Sequence, residues 1–580
     1  MNFKRIFALV LAVAIILASS TMLFACNSST TKTGAVYNEN WTPEKKQAML
    51  LIPGLMASSF YNLDEENYGE ELWGGTGFFN LISNYFSPQL DKLNSDFDAL
   101  YPNEDFSSNV EYVDAKNAII QQILNGLLVC DDNGIPNKQI GISNMSSSER
   151  FASFNGMKYV YDILFPLYSD QYDIIVWQYD WRGSVDNAGD ELARFIDQCG
   201  YEKVQFFTHS LGSIVVANWL QEKNHRDMTE LFVPFGGPFL GSMDAVTNLF
   251  SDTTESGMIA DLLSSFNLSV DLTQVTTTMP SVYQLLPFTQ FFDSTGYESE
   301  SPIKLNGENT TFEDFYNELV KLDMSAGDNG TVKSFVEDLA DYQNRYFVKA
   351  SYDEEEGKYV EDENGQYVHV TWLVPTEYIV GVGKSTIKTA DLSIDSAHKT
   401  AIMTSSTADA TEFDATDSIY NKYIGMIVTS EMTVDEGAKV TSNSIMYTQL
   451  HYGAGDGTVP AYSASAGLPL DADNVHLVYN ISHGPLANNS DRFADYSPDD
   501  LTGLAYLKGI MKNYIEKTDL QMADTIADAG TTGVILSGPL TAQEIAGQVV
   551  AYSILGLIGA VGIAYVTIKA VKSGMFVKKK

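Results

Sequence analysis

Residues 204–213 read Val204-Gln205-Phe206-Phe207-Thr208-His209-Ser210-Leu211-Gly212-Ser213. The apolar, aromatic run 204–207 predicts a buried strand, and the apolar stretch 213–221, which carries Trp219, predicts a helix. Ser210 stands between them. A nucleophilic serine must be pushed out of the backbone on a sharp strand-to-helix turn, and small residues two before and two after it avoid a clash. Gly212 meets that need, whereas Thr208 is β-branched and makes the turn tighter. The bare pattern is weak, so it is the strand, elbow and helix around Ser210 that make it a candidate nucleophile.

Outward from this point, short apolar runs at 48–52, 174–177, 231–235, 378–382 and 475–479 read as further buried strands. Between some of them lie amphipathic helices, such as 187–199 with Leu192, Phe195 and Ile196 on one face. Strands alternating with helices predict an α/β fold with a mostly parallel sheet. Long insertions at about 58–170 and 242–374 interrupt the alternation, and a Thr- and Ser-rich stretch at about 384–444 reads as surface hairpins. Insertions that follow strand ends in such a sheet surround the ligand crevice, as caps or lids.

The composition agrees with a large globular body. The chain has 580 residues, 44% hydrophobic, 12% aromatic and 19% charged, and its formal charge is −40. A surface of that sign repels phosphate backbones, which argues against a nucleic-acid partner. The charge is uneven. Residues 1–26 and 549–580 hold seven of the 35 basic residues and none of the 75 acidic ones. Basic ends on an acidic body predict termini that touch a membrane.

At the N-terminus, Lys4 and Arg5 precede the wholly apolar run 6–18, and Leu23-Phe24-Ala25-Cys26 resembles a bacterial lipobox. Cys26 is therefore the expected lipid anchor, the alternative being an ordinary signal peptide cut nearby. At the C-terminus, 549–568 is 20 residues without a charge, enough to span a bilayer core of ~30 Å. Lys569, Lys572 and Lys578 to Lys580 follow it and are expected to stay cytoplasmic. The expected organisation is a signal (1–26), a tether (27–47), a catalytic body (48–515), a linker (516–548), a span (549–570) and a basic tail (571–580). The body then lies on the outer face of the cell membrane. Of the remaining cysteines, Cys130 and Cys199 are available for one disulfide in an exported protein.

A serine nucleophile needs a base, and the base needs an acid to orient it. Seven histidines are present. His209 sits inside the elbow and is expected to point away from the site. His225 follows the elbow helix too closely to fold back, His369 and His398 fall in insertions, and His451 and His476 lie within strand-like runs. His483 stands in a loop four residues past the run 475–479, where an α/β-hydrolase carries its base. The acid candidate is Asp456, in Gly455-Asp456-Gly457-Thr458-Val459, where glycines let the backbone turn sharply at a strand end. The order Ser210, Asp456, His483 is that of the α/β-hydrolase fold. Asp180 is a rival acid, although Arg182 two residues away favours an ion pair. An oxyanion hole needs two backbone N–H groups. Leu211, after the nucleophile, and Leu55, in Ile52-Pro53-Gly54-Leu55 after the first strand, are the candidates. No pattern calls for a metal, nucleotide or flavin.

Together these pieces resemble the lecithin:cholesterol acyltransferase and phospholipid:diacylglycerol acyltransferase family. The matching segments are Ile52-Pro53-Gly54, Tyr179-Asp180-Trp181-Arg182, His209-Ser210-Leu211-Gly212, Gly236-Gly237-Pro238-Phe239-Leu240-Gly241-Ser242, Gly455-Asp456-Gly457-Thr458-Val459 and Val475-His476-Leu477. The Tyr-Asp-Trp-Arg segment is the most telling, because generic esterases lack it. The resemblance implies Ser210 as nucleophile, Asp456 as acid, His483 as base, and Leu55 and Leu211 as oxyanion donors. It implies membrane lipid esters as acyl donors and an alcohol or water as acceptor, with no cofactor. It also implies a membrane-contacting subdomain in the first insertion, with Gly77-Phe78-Phe79-Asn80-Leu81-Ile82 as a lipid-facing patch or as core. Thr208 stands where the family usually has Gly or Ala. Two other functions remain open at this stage, an exported esterase for smaller soluble esters and a non-catalytic lipid-binding surface lipoprotein.

Overall fold

All six apolar runs become strands of one sheet in the computed structural model. They are β1 (Gln47–Ile52), β2 (Asp173–Val176), β3 (Lys203–His209), β4 (Thr229–Phe235), β5 (Tyr378–Val382) and β6 (Val475–Tyr479). Their order across the sheet is β6-β5-β4-β3-β1-β2, and every neighbouring pair is parallel. Leu50 of β1 lies beside Phe206 of β3, which lies beside Phe232 of β4. The structure describes residues 43–63, 70–74, 81–102, 105–131, 134–142, 157–250, 273–288, 301–311, 313–315, 317, 339–355, 357–393, 446–479, 481–487 and 503–517. All of them fall in one compact unit, residues 34–531.

These strands read as continuous apolar runs because helices cover both faces of the sheet. Ala48, Leu50 and Ile52 of β1 join one cluster with Phe206, Leu192, Ile196 and Ile214. The intervening Met49 and Leu51 are equally buried and, by the strand period of two, point the other way. Helix α1 (Lys158–Tyr168) and helix α4 (Gly503–Lys517) belong to that second face. A Cβ on Gly503 would lie 3.3 Å from Ile379 and 3.5 Å from Phe235, and the Tyr168 hydroxyl donates to the Met511 carbonyl at 3.3 Å.

On the first face, α2 (Val185–Cys199) starts where Ser184 Oγ accepts the Asp186 N–H and stops at Gly200, whose φ is +65°. It starts two residues before the sequence pattern suggests, because the cap precedes the first apolar position. Val185, Ala188, Gly189, Leu192 and Ile196 form its buried stripe, while Phe195 is half-buried. Helix α3 (Leu211–Trp219) is buried over eight of its nine residues, which is why no polar face is visible in its sequence. It begins directly after Ser210, earlier than expected, since the elbow has no spacer between turn and helix.

The insertions carry their own small sheets and helices, which share the core cluster with the central sheet. The first contains the antiparallel strands Phe60–Asn62, Glu71–Trp73 and Ile140–Ile142 and the helices Ser87–Leu100 and Val110–Leu128. The second contains the antiparallel strands Phe347–Asp353, Lys358–Glu361 and Gln366–His369. Lys384–Ser393 pairs antiparallel with Met446–Gly455, which delivers the chain to Asp456. The expected signal, Cys26 and most of the tether, the bulk of the third insertion, the expected linker beyond Lys517, and the expected span and tail lie outside the described residues, as do Gly77 to Asn80. Among the described residues no helix is long and apolar enough to cross a membrane. Cys130 and Cys199 are free thiols, and burial pushes them up to about 12 and about 11.

Candidate active site

Ser210 sits where the sheet hands over to α3, with φ +52° and ψ −128°. A non-glycine residue held there costs on the order of 1–3 kcal/mol. Two hydrogen bonds hold it, from the Ser210 N–H to the Phe235 carbonyl at 3.0 Å and from the Ser213 N–H to the Ser210 carbonyl at 2.9 Å. Thr208 fits the tight turn because its Oγ1 is hydrogen-bonded to Ser213 Oγ at 2.7 Å, so its hydroxyl is satisfied although it is fully buried. Gly212 lets the loop after β1 approach. A Cβ there would come within 2.6 Å of the Ile52 carbonyl and 2.5 Å of the Pro53 carbonyl.

That loop carries Leu55. Gly54 lies so close to the elbow that a Cβ on it would be 2.8 Å from Ser210 Cβ. Among the described residues the N–H groups of Leu55 and Leu211 have no hydrogen-bond partner, Leu211 following Ser210 in the chain and Leu55 following Gly54. The turn closes by a 3.3 Å bond from the Ala57 N–H to the Gly54 carbonyl. Inside it Met56 takes φ +64°, a conformation that favours glycine or asparagine.

Asp456 and His483 are brought together from 27 residues apart. His483 Nδ1 donates to Asp456 Oδ2 at 2.7 Å, and Asp456 Oδ1 accepts the N–H groups of Thr458 at 3.0 Å and Val459 at 2.8 Å. Both Asp456 oxygens are therefore engaged, and its side chain is fully buried. Gly236, at the end of β4 with φ +59°, makes room for the pair. A Cβ there would lie 2.9 Å from Asp456 Oδ2 and 3.1 Å from His483 Nδ1. His483 Nε2 is buried and has no partner, so no hydrogen bond to Ser210 is formed in this state. Asp180, the rival acid, is occupied instead by Arg182, with Nη2 to Oδ2 at 2.6 Å and Nε to Oδ1 at 2.9 Å.

His209 does not point away from the site. Its Nε2 is 2.9 Å from the His483 carbonyl, and the two rings lie 4.8 Å apart. A carbonyl only accepts, so His209 carries its proton on Nε2. Burial, reinforced by the neighbouring His483, pulls the His209 pKa down to about 4. The sequence reading missed this because a residue next to the nucleophile on a strand end alternates away, whereas the elbow breaks the alternation. Asp244 was not singled out by the sequence reading. It follows β4 on the first turn of Met243–Phe250, the same sheet end as the rest of the site, and that strand-end position is the signal that could have found it. Burial pushes Asp244 up to about 7, opposed by His483 and assisted by Asp456. Among the other histidines, His225 stacks on Trp219, His369 is buried among aromatic rings, and His476 pairs with Glu377.

Burial pulls the His483 pKa down, but the Asp456 charge, the Asp456 hydrogen bond and the Asp244 charge together raise it above its usual 6.5. In the role of base proposed for it below, His483 must be neutral to accept a proton. The acid limb of kcat/KM is therefore expected above pH 6.5, with activity rising as His483 loses its proton. Asp244→Asn removes one of the charges that raise it, so the limb should move to lower pH. A pH–rate profile in which that variant leaves the limb in place, or moves it upward, would contradict this coupling.

The arrangement can activate a hydroxyl and stabilise an oxyanion, which is the chemistry of acyl transfer. Among solved structures, the chain resembles that of the Tle4–Tli4 complex at 13% identity, covering 77% of this chain and 96% of that one, with a TM-score of 0.41. It also resembles the Bacillus licheniformis lipase BlEst2 in its mature form (22% identity, 25% of this chain and 51% of that one, TM-score 0.17) and propeptide form (22%, 23% and 29%, TM-score 0.15). Likeness at these scores carries no argument about function. No curated protein matches the chain at a significant level. A family model, lecithin:cholesterol acyltransferase, matches residues 168–467, just over half of the chain; the match takes in Tyr179 to Arg182, Ser210 and Asp456 and stops short of His483. With a mostly parallel sheet and helices on both faces, the chain belongs to the lecithin:cholesterol acyltransferase family and is an acyl-transferring or ester-hydrolysing enzyme on an α/β-hydrolase fold.

Proposed function

We propose that this is a serine enzyme that takes the acyl group from a membrane lipid ester and passes it to an alcohol or to water. The observation that carries the reading is the 2.7 Å bond between His483 and Asp456 beside a serine held at φ +52°. In this reading the Ser210 hydroxyl attacks the ester carbonyl while His483 Nε2 takes its proton. The oxyanion is held by the N–H groups of Leu55 and Leu211. Asp456 keeps the His483 proton on Nδ1 and stabilises the imidazolium. The ester oxygen leaves with the proton from Nε2, and an acyl-enzyme remains on Ser210. The acceptor then loses its proton to Nε2 as it attacks, and Ser210 is released.

Membrane attachment supports lipid esters as substrates, since it holds the site where long-chain donors and acceptors are concentrated. Lipid on Cys26 and the span 549–570 supply that attachment in our reading, with the body on the outer face of the cell membrane. The test uses phospholipid vesicles with a labelled acyl chain, with and without a lipid alcohol. A labelled fatty acid means hydrolysis, and a labelled new ester means transfer. If neither forms while short soluble esters are cleaved, the lipid reading gives way to an esterase. In the same preparation, a chain ending at residue 546 should stay with the membrane fraction and be released by Cys26→Ala. Sedimentation of that double variant after a high-salt wash would refute attachment by these two anchors alone.

A further inference from the structure

The turn that carries Leu55 contains a strained residue, Met56 at φ +64°, and a side chain from another strand grips that residue. The Trp73 Nε1–H donates to the Met56 carbonyl at 2.8 Å. Trp73 lies on Glu71–Trp73, which pairs with Phe60–Asn62 just downstream of the turn, and only 4% of it is exposed. Its indole packs 6.0 Å from Trp181, which stacks on Phe60 at 5.1 Å, and the Arg182 guanidinium lies over the Phe60 ring at 4.3 Å. The segment after the turn is fixed to the same place. The Ser59 N–H donates to Gln178 Oε1 at 2.8 Å, and the Tyr179 N–H to Ser58 Oγ at 3.3 Å. The buried indoles Trp177, Trp181 and Trp219 leave their N–H groups without a partner, whereas Trp73 directs its own at this turn.

We propose that Trp73 is a positioning residue for the oxyanion hole, holding the Gly54-Leu55-Met56-Ala57 turn in the strained form that aims the Leu55 N–H at the site beside Ser210. This rests on the proposed role of Leu55. Without the indole hydrogen bond, Met56 is free to relax to negative φ, and the Gly54–Leu55 peptide swings away from Ser210. The donor is then lost in the transition state more than in the ground state, because the charge it meets develops only there. The Tyr179-Asp180-Trp181-Arg182 segment acts behind it, with Trp181 as the wall on which Trp73 rests.

The test is Trp73→Phe, read against Ser210→Ala and Met56→Gly with a soluble p-nitrophenyl ester. Trp73→Phe should lower kcat roughly tenfold to a hundredfold with KM within about threefold, less than the loss of a donor outright. The rate of Ser210 labelling by a fluorophosphonate should fall in parallel. Met56→Gly, which accepts φ above zero without strain, should restore part of kcat when combined with Trp73→Phe. A merely structural role would lower the melting temperature and give no such rescue. If Trp73→Phe does not fold, replacing the indole by benzothiophene keeps the shape and removes only the N–H, and the same kcat loss is expected. Wild-type kcat in the N–H-deleted variant, a change confined to KM, or no rescue by Met56→Gly would overturn the proposal. Turnover surviving in Ser210→Ala would instead overturn the serine mechanism on which it rests.

Discussion

Ser210→Ala is expected to lower kcat roughly 10⁴–10⁶-fold for any ester that the wild type turns over. The loss should come without unfolding. The bonds that hold the elbow use the backbone of residue 210, from its N–H to Phe235 and from Ser213 to its carbonyl, and alanine keeps both. Alanine also meets the same φ as serine, so the strain is unchanged. His483→Ala should cost about as much, and the double variant little more, because a base without a nucleophile does no chemistry. Turnover within a hundredfold of wild type in Ser210→Ala, with an unchanged melting temperature, would refute the mechanism.

Asp456→Asn should cost on the order of 10⁴-fold in kcat, and the hydrogen bonds give the reason. Asp456 Oδ1 accepts two backbone N–H groups, from Thr458 and Val459, so the amide oxygen of an asparagine will take that position. Its NH₂ then faces His483 Nδ1, which must accept instead of donate. The proton moves to Nε2, and the base loses the lone pair it needs. Asp180→Asn should behave in the opposite way. It removes the charged partner of Arg182, whose side chain is fully buried, so stability should fall by about 3 kcal/mol, the lower end for a broken buried pair, because Asp180 is 24% exposed and Arg182 still donates to the Leu127 carbonyl. Its kcat should stay within about tenfold of wild type. Chemical denaturation together with steady-state kinetics separates the two variants. Loss of kcat in Asp180→Asn with retention in Asp456→Asn would transfer the acid to Asp180.

The sheet was legible because each of its strands is buried on both faces and so appears in the sequence as an apolar run between polar stretches. The elbow was legible because a strand, a serine and an apolar helix follow one another within 18 residues. The candidate partners of Ser210 could be narrowed from order and loop position, since seven histidines leave few choices. What was not legible is the side-chain company that the residues keep. His209 was expected to turn away, yet it lies ring to ring with His483. Asp244 had no motif around it, yet its charge reaches His483. Trp73 stands in a short strand of an insertion, and only the antiparallel pairing of Glu71–Trp73 with Phe60–Asn62 swings its indole onto Met56.

The sequence by itself determined the alternation of apolar strands and helices, the strained elbow at Ser210 and the motif segments of the family. These are local properties, written in the period of apolar residues and in the placing of glycine beside serine and aspartate. Only the tertiary structure decided that Asp456 pairs with His483, that Cys130 and Cys199 remain apart, and that the Leu55 turn is gripped by Trp73. The physical reason is that such choices depend on distances between residues far apart in the chain. Burial then makes each choice decisive, because a buried carboxylate or guanidinium left without a partner costs several kcal/mol.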